Sequence, residues 1–252
     1  MIGFLDGTPP RAFAHRGWHV GELAGLENSM AAFQRAFDEG FRYLETDVRL
    51  TSDGQLIAFH DARLDRVTDR QGLVGAMPWR EVRQARIGGT EPIPLMAELL
   101  DAFPTAFFNI DAKSDAAAAP LVDLVKASGS AARVCLGSFS DRRLAAIRAA
   151  CGPEVATSMG SREIFRLVRA SALQRRFELP ARAAQVPVGM RGVPIVTPRF
   201  IGRAHAAGLE VHVWTIDDPL EMRRLLTLGV DGIMTDRPEL LRDVLRERGE
   251  WQ

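Results

Sequence analysis

The chain has 252 residues, 46% of them hydrophobic, with 32 basic and 32 acidic side chains that cancel to a net charge of zero. That length is long for one ordinary domain but normal for an α/β barrel folded as a single unit, here residues 1–252. Balanced charge without a basic stripe argues against nucleic acid as a partner, and no apolar run approaches the roughly 18 residues needed to span a bilayer, so no stable membrane insertion is expected. Cys135 and Cys151 give neither a metal spacing nor a disulfide framework. Met1 to Pro10 lacks the basic and apolar stretches of a signal peptide, which makes the cytoplasm the expected location.

Residues 11–15 form a short apolar run ending in His15, the first strand. Asn28-Ser29 caps a helix with Met30, Phe33 and Phe37 at helical spacing, and Gly40 ends it. Residues 41–50 alternate as a strand that puts Tyr43, Glu45, Asp47 and Arg49 on one face. After the turn Ser52-Asp53-Gly54, residues 55–59 form a further strand that delivers His60. From residue 61 to about 92 the pattern breaks into a polar, glycine-containing stretch, read as a small insertion beside the barrel mouth.

A helix then runs from Ile93-Pro94 to about Ala102, followed by a strand at 106–112 with Asn109, Asp111 and Lys113 on one face. Regular alternation follows. Helices are expected at about 116–128, 141–150, 161–171, 198–207, 218–227 and 237–248, and strands at 133–138, 154–158, 181–186, 210–214 and 231–234, with an irregular loop at 187–196. Strand–helix units repeated about eight times predict an α/β fold, a TIM (β/α)8 barrel with the insertion after the second strand. The glycine-rich loop of a doubly wound nucleotide-binding sheet is absent after the first strand.

Active sites of such barrels lie at the C-terminal ends of the strands, where His15, Glu45, Asp47, His60, Asp111, Lys113 and Trp214 all fall. Glu45 and Asp47 point the same way and repel unless a cation lies between them. A hard divalent cation with Asp111 as third ligand answers that repulsion; pairing with Arg16, Arg42 or Arg49 is the blander reading. His15 and His60 suit a base and an acid working near neutral pH, and Arg16 and Lys113 suit an anionic group such as phosphate. Lys113 is one of only two lysines in an arginine-rich chain, which suggests a need for a compact ammonium. Trp214 either walls the substrate pocket or fills the core. His212 reads as a buried structural histidine, His19 as a loop residue, and Asp236 as the cap of the last helix.

Ten short pieces in order resemble the glycerophosphodiester phosphodiesterase family: Ala-His-Arg-Gly at 14–17, Glu-Asn-Ser at 27–29, Leu-Glu-Thr-Asp-Val at 44–48, Asp-Gly at 53–54, Phe-His-Asp at 59–61, Leu-Asp-Arg-Val-Thr at 64–68, Ile-Pro-Leu at 93–95, Asn-Ile-Asp-Ala-Lys at 109–113, Val-Trp-Thr at 213–215 and Gly-Val-Asp-Gly-Ile-Met-Thr-Asp-Arg-Pro at 229–238. The resemblance covers about residues 11–245. It implies a TIM barrel with an insertion, Mg²⁺ or Ca²⁺ at Glu45, Asp47 and the third acid, His15 and His60 as the acid–base pair, and Arg16 and Lys113 on the phosphate. The implied reaction is hydrolysis of a small-molecule glycerophosphodiester to glycerol 3-phosphate and an alcohol, through a cyclic phosphate. Asp111 stands where this family usually has Glu, Ser29 where it has Thr, and Trp18-His19 where smaller residues are common.

Three other readings compete. A lysophospholipase D, or an activity like the related sphingomyelinases D, would need an apolar groove at the mouth, which Leu64, Val67, Leu73, Val74, Met77 and Trp79 of the insertion could line. Metal-free phosphatidylinositol phospholipase C does not need three acids. A non-catalytic barrel that binds phosphorylated ligands would not need both histidines.

Overall fold

In the computed structural model, which describes residues 3–169, 180–190 and 192–251, the chain starts with β1 (Arg11–His15), α1 (Met30–Asp38) and β2 (Tyr43–Leu50). A hairpin strand, β3 (Leu56–Ala58), leads into the insertion with α2 (Trp79–Val82), β4 (Arg86–Ile87) and β5 (Glu91–Pro92). Then come α3 (Met96–Ala102), β6 (Phe107–Ala112), α4 (Asp115–Ala127), β7 (Val134–Gly137), α5 (Asp141–Cys151), β8 (Ala156–Thr157) and α6 (Ser161–Arg169). The expected end of this helix at 170–171 lies outside the described residues. The chain closes with β9 (Ala183–Val186), the small hairpin β10 (Gly189–Met190) and β11 (Val193–Pro194), α7 (Pro198–Ala206), β12 (Glu210–Val213), α8 (Pro219–Leu228), β13 (Gly232–Thr235) and α9 (Pro238–Glu247).

Eight parallel strands follow the order β8-β7-β6-β2-β1-β13-β12-β9, and a parallel bridge from Ser158 to Ala183 brings the two ends together. This is the expected TIM barrel. Strands buried on both faces are apolar towards the helices, where Leu44, Phe108, Ile110, Leu136 and Val213 meet Phe33, Leu121 and Leu225 in one continuous core. Local signals set the boundaries. Ser29 caps α1 by accepting from the Ala32 amide, and Gly40, at φ 99°, closes it: its amide donates to Phe37 and that of Phe41 to Ala36.

The barrel interior is aromatic at the bottom, where Phe4, Phe13 and Tyr43 pack together. A polar chain runs beside them. Arg11 pairs with Glu210 at 2.7 Å, His212 Nε2 lies 2.9 Å from Glu210, and Gln185 donates to Asn109 at 2.7 Å. His212 is fully buried in this chain, as its place on the interior face of β12 leads one to expect.

The strand before His60 is not a barrel strand. β3 runs antiparallel to the upper half of β2, with Leu56 beside Leu50 and Ala58 beside Val48. Period-two patterning does not distinguish a barrel strand from the return strand of a hairpin. The hairpin brings the chain back down, so that the Phe59 amide donates to the Asp47 carbonyl and His60 emerges at the level of the carboxylates.

The insertion builds its own small core from Ile57, Phe59, Leu64, Val74, Val82, Ala85, Ile87 and Ile93, with Val67, Met77 and Trp79 packed against it. These residues pack on one another and do not line the apolar groove that a lysophospholipase D would need. Of the six residues named for it, only Leu73 is substantially exposed, at 47%. Burying these side chains against one another stabilises the insertion, which leaving them exposed along a groove would not.

Candidate active site

The loop after β1 is held in a left-handed conformation at two successive residues, Arg16 at φ 55° and Gly17 at φ 85°. A side chain at Gly17 would meet the Ala32 backbone carbon at 2.8 Å, so only glycine lets this loop rest on the start of α1. Arg16 is a non-glycine residue in a costly region, which is typical of a constrained functional loop. The turn makes its amide donate to the Glu45 carbonyl at 2.9 Å and to Glu45 Oε2 at 3.3 Å. Asn28, also left-handed at φ 59°, donates its amide to the Arg16 carbonyl, and its side-chain oxygen accepts from Thr46.

Glu45 and Asp47 enter the mouth from β2, and the parallel register sets Asp47 beside Asp111 of β6. All three are buried. Burial first, and the neighbouring Asp47 second, push the Glu45 carboxyl up to about 7. Burial likewise raises Asp111, against the pull of Lys113. Two cations interleave the acids. Lys113 Nζ bridges Asp47 Oδ1 at 2.7 Å and Asp111 Oδ2 at 2.5 Å, and Arg16 Nε lies 3.2 Å from Asp47 Oδ2. Burial works against the charged forms of Lys113 and Arg16, yet the facing carboxylates raise both above their ordinary values. The Arg16 pair is off hydrogen-bonding geometry, so Asp47 Oδ2 is a buried oxygen without a hydrogen-bond donor. Among the described residues no three His, Cys, Asp or Glu side chains are gathered at metal-ligating distance.

The two histidines are held in the same way. His15 Nδ1 and His60 Nδ1 each lie 2.6 Å from an aspartate oxygen, of Asp236 and Asp61 respectively. A carboxylate only accepts, so each Nδ1 carries its proton and each Nε2 is free for proton transfer. His15 Nε2 is 3.6 Å from Glu45 Oε2. Burial works against the imidazolium of His15, but Glu45 and Asp236 outweigh it and raise its pKa. Asp61 is held down at about 2 by its hydrogen bond from Arg66. Asp236 also falls, because hydrogen bonds from His15 and His19 outweigh its burial.

Trp214 follows β12 at the rim, edge-on to Phe139 at 5.6 Å between ring centres, and Lys113 Nζ lies 5.3 Å from the centre of the Phe139 ring. Phe139 is 63% exposed. The pair forms an aromatic wall beside the ammonium of Lys113.

The model of the glycerophosphoryl diester phosphodiesterase family matches residues 15–240. The chain belongs to this family. It is 42% identical to the Probable glycerophosphodiester phosphodiesterase 2 of Mycobacterium tuberculosis, covering 99% of this chain and 96% of that relative. It is 26% identical to a human lysophospholipase D over 92% of this chain and 85% of that protein. Among solved structures it is similar to an Oleispira antarctica phosphodiesterase in complex with the product sn-glycerol-3-phosphate, with a TM-score of 0.78, 25% identity, and coverage of 94% and 97%.

In this family member ion pairs link Arg16, Asp47, Lys113 and Asp111, His15 pairs with Glu45, which accepts from the Arg16 backbone amide, and His60 joins Arg16 through Asp61, Arg66 and Glu27. Sequence reasoning missed Asp236, Glu27, Arg66 and Phe139. Asp236 is not the cap of α9. Arg237 occupies that position without a side-chain cap, while the Asp236 carboxylate turns to His15 and to His19 Nε2 at 3.1 Å. The loop residue His19 thus reaches the site after all. Glu27 and Arg66 lie within two of the family-like pieces, a signal that was available; Phe139 gave none.

Proposed function

We propose that this protein hydrolyses glycerophosphodiesters to glycerol 3-phosphate and an alcohol, with His15 and His60 moving the protons and a divalent cation, Mg²⁺ or Ca²⁺, at Glu45, Asp47 and Asp111. The supporting observation is the pair of histidines, each fixed at Nδ1 by an aspartate, with His15 against the buried Glu45 and His60 following Phe59, whose amide donates to the Asp47 carbonyl. One Nε2 takes the proton from the attacking hydroxyl and the other gives a proton to the leaving alcohol oxygen. The attacking group is the substrate's own glycerol hydroxyl. It forms a cyclic phosphate, which water opens with the histidines in exchanged roles.

Three buried carboxylates are the donor type a hard cation takes, and Lys113 stands between two of them here. Burial and the neighbouring Asp47 push Glu45 towards its neutral form despite the nearby cations, and Asp47 has a buried oxygen without a hydrogen-bond donor, so added divalent charge would relieve both. When bound, the cation supplies charge for the phosphate oxygens and the attacking hydroxyl. Arg16 and Lys113 bind the remaining phosphate oxygens and hold them against charge build-up. Trp214 and Phe139 face the alcohol portion of the substrate.

The reading of a lysophospholipase D loses its stated basis, because the insertion residues meant for an acyl groove form a closed core. ³¹P NMR of glycerophosphocholine with Mg²⁺ tests the reading. Conversion of the diester signal to that of glycerol 3-phosphate, through a transient cyclic phosphate, is expected. A product carrying phosphate on choline refutes it.

A further inference from the structure

The insertion delivers one charged side chain that connects the two halves of the site. Arg66 Nε donates to Asp61 Oδ2 at 2.6 Å and Nη2 to Asp61 Oδ1 at 3.2 Å. The same guanidinium donates from Nη1 and Nη2 to Glu27 at 2.8 and 2.7 Å. Asp61 holds His60 Nδ1, and Glu27 accepts from Arg16 Nη1 at 2.9 Å. One planar fork therefore sets both the imidazole of His60 and the guanidinium of Arg16, through two carboxylates on different segments. A lysine, with its single nitrogen, does not reproduce this four-bond geometry.

We propose that Arg66 is a positioning residue that aligns His60 for proton transfer and Arg16 for phosphate binding, and that this is how the insertion serves the reaction. The inference rests on the function proposed above. It has two separable arms. The Asp61 arm acts on His60 and hence on kcat; the Glu27 arm acts on Arg16 and hence on KM. A residue that merely stabilised the insertion would lower apparent kcat in proportion to the folded fraction and leave KM unchanged.

The test uses the full chain with Arg66→Gln and Arg66→Lys, assayed on glycerophosphocholine in the wild-type and His60→Ala backgrounds. Loss of a group that orients a functional side chain costs roughly 10–100-fold. In the wild-type background, kcat is expected to fall about tenfold and KM to rise several-fold, with Arg66→Lys rescuing neither. In the His60→Ala background the kcat effect disappears and the KM effect remains. Arg63→Ala, which removes a 58%-exposed side chain from the same insertion, leaves both constants within about twofold of wild type. Equal kcat losses in the two backgrounds, or wild-type constants in Arg66→Gln, overturn the proposal.

A second readout needs no turnover. The ¹H NMR signal of the His60 Nδ1 proton, hydrogen-bonded to Asp61, shifts or broadens in Arg66→Gln and stays in place in Arg63→Ala. An unmoved signal in Arg66→Gln refutes the positioning role, even if the protein hydrolyses no diester and the proposed function itself falls.

Discussion

Replacing Asp236 by Asn tests how His15 is prepared for catalysis. The substitution keeps shape and removes charge. Asp236 Oδ1 lies 2.6 Å from His15 Nδ1 and 3.1 Å from His19 Nε2. A hydrogen bond to a charged group is worth about 1.5–3 kcal/mol, which is about 10–150-fold in rate at 1.4 kcal/mol per tenfold. The Asp236 side chain is 37% exposed, so solvent screening places the electrostatic part near the lower end. An asparagine amide can also donate to Nδ1, which moves the imidazole proton to Nε2 and leaves that nitrogen unable to accept. Together these give an expected fall in kcat of about 100-fold, with little change in KM. Because the carboxylate raises the His15 pKa, its loss moves the His15-controlled limb of the pH–rate profile to lower pH. Steady-state kinetics across pH, beside His15→Ala and the double variant, measure this. In the His15→Ala background the Asp236 change is expected to cost nothing further. An Asp236→Asn enzyme within twofold of wild type, with unchanged circular dichroism, refutes the orienting role.

Other outcomes follow from the same structure. Glu45 has a folded pKa of about 7, above its unfolded value, so its contribution to stability is full below the unfolded pKa of about 4.3 and is lost as pH rises to about 7. The melting temperature of metal-free protein should therefore fall over that window from this group, and added Mg²⁺ should restore it increasingly towards pH 7, as the ligand must be deprotonated to bind; a Mg²⁺ effect that does not depend on pH contradicts this. Leu64→Ala, which hollows the insertion core at a fully buried side chain, should destabilise that core by about 2–5 kcal/mol and be seen as early local unfolding by hydrogen exchange at 57–93, with the barrel strands protected. Uniform loss of protection would show that the two cores unfold as one. Phe139→Ala removes half of the aromatic wall beside Lys113; loss of a partly exposed cation–π contact of about 0.5–1 kcal/mol predicts a two- to fivefold rise in KM with kcat nearly constant, and an unchanged KM removes Phe139 from the substrate's path.

The barrel was legible in the sequence because its signals are local. Strand and helix periods, the Ser29 cap and the Gly40 stop each depend on residues within a few positions. The acids on β2 were legible for the same reason, since a period of two puts Glu45 and Asp47 on one face. What escaped depends on distant partners. Asp236 meets His15 across 221 residues of sequence, and an aspartate two residues before Pro238 reads locally as a cap. Arg66 meets Glu27 across 39 residues. β3 has the same alternation as a barrel strand, and only its antiparallel partner shows that it is a return strand. The insertion's apolar residues were visible, but whether they face a ligand or one another is a question of packing. Lys113 was expected on the phosphate. It stands between Asp47 and Asp111, close enough to both to hold their charge and to meet an anion that enters beside Phe139.

The most direct test of the central claim is release of glycerol 3-phosphate from glycerophosphocholine by wild type, His15→Ala and His60→Ala, each with Mg²⁺, with Ca²⁺ and with chelator. The account predicts turnover by wild type only with a divalent cation, and a loss of at least about 100-fold in each histidine variant whatever the metal. Undiminished turnover in chelator, or in either histidine variant, would contradict it.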